Sequence, residues 1–499
     1  MGTWWRDPRA AEPRGHRRGV ASPPREQGGS MSARTADPLG RATSMLGGSF
    51  AAEPHPCTHG TPVAAKPWVG TPGTVGTIAV IGSGKIGLPL ALQFASHGWR
   101  VHAVDINQAL VDVINSGVAP WGGEPQLPEL LAEHVGSGRL RATVDGAAAV
   151  RDADVALVVV PVLVRDDGSI ADKALVGATE TLIAGAHDNL LVILETTVPI
   201  GTTRDLVAKV ARESGANVFG CFSPERVLTG QTFRNLAAYP KLVGGTDAAS
   251  LARATAFYES VLDAPIAQMQ TLEAAEMAKL AETTYRDVNI ALANEFARVA
   301  DRHGIDLSEV IRAANSQPYS HIHEPGIGVG GHCIPVYPRM ILSTDGDLEV
   351  IKTARAVNDG QVERAAEAIV ATLGSLDGTT IAVLGLTYRE GVRELAHARG
   401  PLMADALRAR GATVLGHDPL LSADDIAGLK MTPWDGTANA QVRAVVVATA
   451  DAAYRTMDFA ALFPGLEVLI DGRNACAGAK LPAGAKRVGF GRPNGVAAQ

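Results

Sequence analysis

Thr77-Ile78-Ala79-Val80-Ile81-Gly82-Ser83-Gly84-Lys85-Ile86-Gly87 is the stretch whose reading decides the fold. Thr77 to Ile81 is a short, β-branched and apolar run, as expected of a strand buried in a parallel sheet. Gly82 permits the tight turn that follows, Gly84 lets backbone approach a pyrophosphate, and Gly87 allows close packing of helix on strand. The helix that opens there offers free N–H groups and a positive dipole end to phosphates. Asp105 ends the next strand, eighteen residues after Gly87, where a carboxylate can accept hydrogen bonds from the adenosine ribose hydroxyls. Strand, turn, helix, strand and acid together predict a dinucleotide site built from Gly82, Ser83, Gly84, Lys85, Ile86, Gly87 and Asp105. Asp105 would repel a 2′-phosphate, so NAD is favoured over NADP.

The alternation continues downstream. Arg100 to Asp105, Val155 to Val162, Leu190 to Thr197 and Asn217 to Ser223 are strand candidates separated by helix-length segments, the signature of a parallel sheet with helices on both faces. From Leu272 to about Arg302 there is no Pro or Gly, and Met277, Leu280, Tyr285, Val288, Leu292, Phe296 and Val299 recur at helical spacing. Such a helix, about 45 Å long at the standard rise, can link two domains and carry a dimer interface, or can be an ordinary core helix. Thr380-Ile381-Ala382-Val383-Leu384-Gly385 then starts a second α/β unit, with later strands at Ala412 to Gly416, Ala444 to Thr449 and Glu467 to Ile470. The expected class is α/β: two Rossmann-like doubly wound domains, 75–268 and 369–492, joined by a long central helix and a helical middle domain over 269–368.

A chain of 499 residues is too long for one ordinary core. Hydrophobic content of 46% with 19% charged residues describes a globular protein. A net charge of -7 gives no reason to expect nucleic acid as a partner. The longest apolar run, Val155 to Val164, is too short to span a bilayer and contains Pro161, so no membrane partner is expected. Cys57, Cys221, Cys333 and Cys476 are scattered, forming neither a disulfide framework nor a metal pattern, and a reducing cytoplasm fits. Residues 1–50 carry eight Arg, no Lys and four acids, so this stretch is +4 and the remainder -11. Its Pro, Gly, Ser and Ala content predicts a disordered tail over 1–74. No apolar core follows Arg14 to Arg18, which argues against a secretory signal, and Met31 or Met45 is an alternative start.

Gly328-Val329-Gly330-Gly331-His332-Cys333-Ile334-Pro335 places a cysteine on a glycine-rich loop about 250 residues after the fingerprint. Alone, Cys333 reads as a small buried filler. Beside a nicotinamide site it becomes a nucleophile that can hold a substrate covalently. The pairing points to an alcohol carried through an aldehyde to an acid, with two hydrides removed at one site. Lys279 and Thr283 lie four apart on the long helix and face the same way. Glu225, in Ser223-Pro224-Glu225-Arg226, follows a strand at the carboxyl end of the sheet, where α/β sites form. Each alone reads as a solvated polar group.

Together these blocks resemble the nucleotide-sugar 6-dehydrogenases, the UDP-glucose and UDP-N-acetylhexosamine dehydrogenase family. The resemblance runs from about Thr77 to Arg492. It rests on Gly82 to Gly87, Glu195-Thr196-Thr197-Val198-Pro199, Ser223-Pro224-Glu225-Arg226-Val227-Leu228, Tyr285-Arg286-Asp287-Val288-Asn289-Ile290-Ala291, Gly328 to Pro335 and Gly385-Leu386-Thr387-Tyr388. It implies Cys333 as nucleophile, with Lys279, Glu225 and Thr197 as its catalytic helpers. It implies Pro161 and Thr197 at the NAD site, and Glu225, Arg226, Lys279, Thr283, Gly328, Gly330, Gly331, Arg389 and Arg473 at a UDP-sugar. It also implies a cofactor domain, a helical segment forming a homodimer, and a C-terminal UDP-binding domain.

The chain departs from that family at Thr283, usually Asn, at Tyr337, usually Asp, and at Arg389, usually Lys. Ala396 stands where an Arg is usual, with Arg399 as a candidate replacement, and Val162 replaces a Thr. Either a subfamily distributes these roles differently or hydrolysis is impaired. Ser-Pro-Glu-Arg-Val-Leu, Arg286-Asp287-Val288-Asn289, Asn315-Ser316-Gln317-Pro318 with Ile322 to Gly326, and His332 resemble the UDP-N-acetylmannosamine branch. UDP-N-acetylglucosamine and UDP-glucose are the next substrates. A two-electron Rossmann dehydrogenase, or a weakened homologue that only binds nucleotide sugars, are the readings from other classes.

Overall fold

A computed structural model describes residues 76–165, 169–228 and 230–492. The tail expected over 1–74 lies outside the described residues.

Sixteen strands are described, in three sheets. The first sheet holds β1 (Thr77–Ile81), β2 (Arg100–Val104), β3 (Leu140–Thr143) and β4 (Val155–Val158). A hairpin of β5 (Leu163–Val164) and β6 (Ile170–Ala171) stands apart. Then β7 (Leu191–Leu194), β8 (Phe219–Phe222), β9 (Lys241–Gly245) and β10 (Ile266–Gln268) complete the first sheet in the order β10-β9-β8-β7-β4-β1-β2-β3. Only the β8–β9 pair is antiparallel. The second sheet is fully parallel. It runs β13 (Thr432–Pro433), β12 (Thr413–His417), β11 (Thr380–Leu384), β14 (Val442–Val447), β15 (Val468–Asp471) and β16 (Lys486–Val488).

Alternating side chains give each sheet two cores. Ile78 and Val80 of β1 join one cluster, Ala79 and Ile81 the other. Ile381 and Val383 of β11 separate likewise from Ala382 and Leu384. Both faces are covered, which is why these strands read as continuous apolar runs. In each sheet the first strand, β1 or β11, lies between neighbours reached by crossovers in opposite directions. The crevice at that switch point is where α/β sheets bind ligands.

Two expectations about strands change. The strand expected over Val155 to Val162 ends at Val158. The Thr196 hydroxyl donates to Val160 O at 2.8 Å and accepts from Val160 N at 2.9 Å, peeling the chain off the sheet before Pro161. The strands β3, β5, β6, β9, β10, β13 and β16 were not expected; β9 starts on a lysine and ends Gly244-Gly245, which masks its pattern.

The long helix spans Leu272–His303, 32 residues. Thr271 caps it by accepting from Ala274 N at 3.0 Å, and Gly304 ends it at φ +67°. Its composition is inverted. The face toward this chain's core carries Ala275, Glu276, Lys279, Thr283, Asp287, Asn294 and Ala297, all buried. Met277, Tyr285, Leu292, Phe296 and Val299 of the apolar stripe are exposed, and Leu280 alone of that stripe is fully buried. No described helix is long and apolar enough to cross a membrane.

Candidate active site

The glycine turn leaves β1 directly. Gly82 has φ +100°, and its N–H donates to Val104 O at 2.8 Å, drawing the end of β2 beside the turn. A Cβ at Gly87 would lie 1.8 Å from Gly82 O, so helix and turn touch through glycine. A Cβ at Gly84 would meet nothing within 4 Å, so that side of the turn is open to a ligand. The helix Gly87–Ser96 has no side-chain cap, leaving its first N–H groups to a phosphate. Asp105 stands beside it, and its two oxygens accept from Ser83 N and Asn107 N, each at 3.0 Å. The carboxylate therefore braces the turn and still has lone pairs for ribose hydroxyls. Ile86 packs on the core, and Pro161 is exposed beyond the carboxyl end of β4. Lys85 Nζ lies 3.7 Å from Glu394 Oε2, with His332 Nε2 3.5 Å from the same oxygen, so Glu394 of the second α/β unit reaches both the turn and the cysteine loop.

Cys333 is exposed on its loop. The loop is held from behind by a buried polar network. Arg355 Nη1 lies 2.5 Å from Asp287 Oδ1, Asn358 donates to the same oxygen at 2.8 Å, and Asn294 donates to Asn358 Oδ1 at 3.0 Å. Gly326 N donates to Asn294 Oδ1 at 2.9 Å, fixing the start of the loop to the long helix. A Cβ at Gly330 would lie 2.9 Å from Tyr388 Cβ and from His397 O, so glycine there lets the second unit close onto the loop.

A pocket of about 530 Å³ opens between this loop and the carboxyl ends of the second sheet. Gly328, Gly330 and Ile334 line one side; Arg389, Arg399, Arg455 and Arg473 line the other, with Glu324 and Glu390. Four guanidinium groups against two carboxylates suit a diphosphate. Gly331 is not on this wall and packs on the Tyr388 ring. Arg399 donates to Val329 O at 2.8 Å through Nε and lies 3.7 Å from Asp359, so the candidate replacement for the missing Arg steadies the loop from within the pocket wall.

A second group gathers on the side of the first sheet. Lys279 and Thr283 are both buried, which overturns the solvated reading. Lys279 Nζ lies 3.4 Å from Glu282 and 5.8 Å from the centre of the Tyr337 ring. Tyr337 opens the helix Tyr337–Thr344, its N–H bonded to Cys333 O at 2.9 Å. The side chains of Thr197 and Cys333 act on its hydroxyl. Burial, then the neighbouring Cys333, raises it above the ordinary tyrosine range, so it is a protonated donor at neutral pH. Thr283 Oγ1 accepts from Arg286 at 3.3 Å. Glu276, one turn before Lys279, accepts from Gly201 N at 2.6 Å and Thr203 N at 3.0 Å, tying the Thr197 segment to the same helix.

Glu225 follows β8. Its Oε1 accepts from Arg226 N at 2.6 Å and Val227 N at 3.0 Å, and its Oε2 from Lys241 Nζ at 3.0 Å. Arg226 is engaged with Glu282 at 3.0 Å and Pro240 O at 3.3 Å and does not line the 530 Å³ pocket. The structure thus brings Cys333, Tyr337 and Lys279 together, with Arg226, next to Glu225, reaching the Glu282 that pairs with Lys279, and Thr197 on the segment tied to the same helix. Gly328, Gly330, Arg389 and Arg473 form the adjoining pocket.

Three profiles of one family match along the chain: its NAD binding domain over 76–262, its central domain over 273–360 and its UDP binding domain over 382–478. The chain belongs to the UDP-glucose/GDP-mannose dehydrogenase family. A UDP-N-acetyl-D-mannosamine dehydrogenase of Pyrococcus horikoshii is 33% identical over 411 residues, 80% of this chain and 95% of the relative. One of Salmonella typhimurium is 38% identical over 340 residues, 64% of this chain and 79% of the relative. The solved structure of the Pyrococcus UDP-D-ManNAc dehydrogenase matches with a TM-score of 0.75 at 31% identity, covering 84% of this chain and 99% of that one. A UDP-glucose dehydrogenase from Pyrobaculum islandicum matches at 0.75 with 26% identity, covering 87% and 100%.

As a member of this family the chain is an NAD-dependent UDP-sugar dehydrogenase, and the open, uncapped turn at Gly84 fits the cofactor. This dehydrogenase has site neighbours that sequence reading missed: Lys241, Glu276, Arg355 and Asn358. Each is a polar residue made significant by burial. Lys241 and Arg355 look like surface charges in sequence, and only their low exposure, 5% and 4%, gives them away.

Proposed function

We propose that this dehydrogenase oxidises a UDP-sugar at C6 by four electrons to the uronate, with UDP-N-acetyl-D-mannosamine as substrate. The observation that carries the reading is the exposed Cys333, whose backbone oxygen accepts from Tyr337 N, on the loop that lines the arginine-rich pocket, with Lys279 near the Tyr337 ring. Arg389 and Arg473 hold the diphosphate, and Gly328 and Gly330 leave room for the sugar. Thr283 and Arg226 frame Lys279 and Glu282 on the long helix. Two NAD molecules bound in succession at the Gly82–Gly87 turn would each supply a hydride acceptor, the first for the alcohol and the second for the thiohemiacetal. Lys279 stabilises the developing alkoxide. The Cys333 thiolate attacks the aldehyde carbon, and the carbonyl oxygen takes up a proton. After the second oxidation Cys333 carries a thioester. Water attacks it, oriented by Glu225, and the thiol leaves. Thr197, on the segment that Glu276 ties to the long helix, assists at the same site. Cys333 must stay reduced for this chemistry, which places it in a reducing cytoplasm.

The outward face of Met277, Tyr285, Leu292, Phe296 and Val299 supports a homodimer through the long helix, because an apolar stripe of this size on a helix otherwise full of buried polar groups needs cover. The manno assignment rests on the named relatives and on the sequence blocks above. The experiment is a UDP-sugar panel with NAD: two NADH per sugar consumed, fastest with UDP-N-acetyl-D-mannosamine, and no uronate from Cys333→Ser, which still binds NAD. One NADH per sugar would identify a two-electron dehydrogenase instead, and full uronate production by Cys333→Ser would remove the covalent route.

A further inference from the structure

Glu195, Lys241 and Glu225 form a buried row at the carboxyl ends of β7 and β8 and the start of β9. Lys241 Nζ lies 2.9 Å from Glu195 Oε1 and 3.0 Å from Glu225 Oε2. Their side chains are 0%, 6% and 11% exposed for Glu195, Lys241 and Glu225. Two carboxylates share one ammonium, so with both ionised the row would carry a net negative charge away from water, an arrangement of high cost. One shared proton removes that charge.

The two carboxylates are not equivalent. Glu225 accepts from two backbone N–H groups and from Lys241, and the Lys279 charge also acts on it. Glu195 accepts from Lys241 and, at 2.5 Å, from the Tyr258 hydroxyl. Its Oε2 is buried with no hydrogen-bond partner. The remaining neighbours add no cation: the Tyr258 ring lies under Lys241 Nζ at 5.1 Å, and the buried Cys221 thiol stays protonated, pushed up by burial and by Glu195. Hydrogen bonds to a carboxylate favour its charged form, so the proton belongs on the carboxylate with fewer of them. Burial pushes Glu195 up to about 7, with Lys241 opposing and Glu225 reinforcing. Burial also pushes Glu225 up, but the attraction of Lys241, its hydrogen bond and the Arg226 N–H outweigh it and leave Glu225 below the usual range.

We propose that Lys241 and Glu195 are positioning residues for Glu225: the row holds one proton, on Glu195, and thereby keeps Glu225 ionised and aimed at the hydrolytic water. This rests on the reading of Glu225 as the residue that orients that water. Neither Lys241 nor Glu195 touches the reacting atoms.

The test has a kinetic arm and a spectroscopic arm. In Lys241→Met, Glu225 loses its cation, and the acid limb of steady-state kcat moves to higher pH by about one unit or more. KM for the sugar nucleotide and the single-turnover rate of the first NADH stay within about twofold of wild type, and Lys241→Arg restores the limb. In Glu195→Gln, Lys241 serves Glu225 alone, and the limb stays or moves to lower pH. Limbs that do not move in Lys241→Met, or that move up in Glu195→Gln, overturn the proposal. The spectroscopic arm is the infrared carbonyl band of a protonated carboxyl at about pH 6, below the Glu195 midpoint. It is expected in the wild type and absent from Glu195→Gln; a band unchanged by the substitution overturns the proposal even if Lys241→Met fails to fold. That band needs no turnover. Failure to oxidise any UDP-sugar with the band behaving as expected would sink the functional reading and leave the proton where it is placed here.

Discussion

At the scale of single residues, Tyr337 is where this chain's chemistry should differ most from its relatives. Burial raises its hydroxyl above the ordinary tyrosine range, so it stays protonated at neutral pH and takes no proton. No carboxylate at that position helps water toward the thioester. We therefore predict a fast burst of two NADH per site followed by slow turnover, with a Cys333 thioester adduct visible by intact mass during the slow phase. Tyr337→Asp should shrink the burst relative to the steady rate. Tyr337→Phe, which removes the hydroxyl but keeps the ring beside Lys279 and adds no carboxylate, should keep the burst and the slow turnover. A wild type with neither burst nor adduct would show that Glu225 and Lys279 suffice for hydrolysis. Cys333, Lys279 and Glu225 were legible because each stands in a motif. Lys241 was not, since a lysine after a proline at a strand start reads as an edge charge, and its burial depends on β8 and β9 pairing antiparallel.

At the scale of elements, the strand–turn–helix unit at Gly82 was readable to within a residue, because glycine tolerance, apolar alternation and helix opening are local properties. What the sequence did not show is that Asp105 does two jobs. It accepts from Ser83 N and Asn107 N and so holds the turn in shape while presenting a charge to the ribose. The two roles separate by substitution. Asp105→Asn removes the charge and keeps one acceptor oxygen for two backbone donors; it should raise kcat/KM with NADP relative to NAD by about tenfold, given Coulomb terms of about 1 kcal/mol per charge even in water, with a smaller loss of Tm than Asp105→Ala. Asp105→Ala should shift the same ratio and also lower Tm, since backbone donors lose a charged acceptor worth about 1.5–3 kcal/mol each. An unchanged cofactor ratio in both variants would show that the carboxylate serves the turn alone.

At the scale of the whole molecule, the long helix is the organiser. Glu276 ties down the Thr197 segment, Lys279 faces Tyr337, and Asp287 and Asn294 hold the Cys333 loop, all from one face of one rigid element. The opposite face is left with the large apolar residues. Leu292→Glu with Phe296→Glu should convert a wild-type dimer to monomer by sedimentation velocity. Losing two buried side chains worth about 1.5–3 kcal/mol each weakens association by about a hundredfold or more. Equal masses for wild type and variant would remove the helix from the interface.

The sequence by itself determined the strands of both sheets that are apolar throughout, the cofactor turn, and the cysteine loop from which the proposed nucleophile comes. Those are set by short-range pattern: side-chain alternation, glycine placement and the reactivity of a thiol. The inside and outside of the long helix were decided only in the tertiary structure. A helix has one hydrophobic stripe to show, and sequence reads that stripe as the buried side. Here the inner face is instead packed with Glu276, Lys279, Thr283, Asp287 and Asn294, because each finds a partner from a distant segment, at Gly201, Glu282, Arg286, Arg355 and Gly326. Burying polar groups is tolerable only when such partners are supplied, and no local pattern announces a partner 68 residues away, as Arg355 is from Asp287.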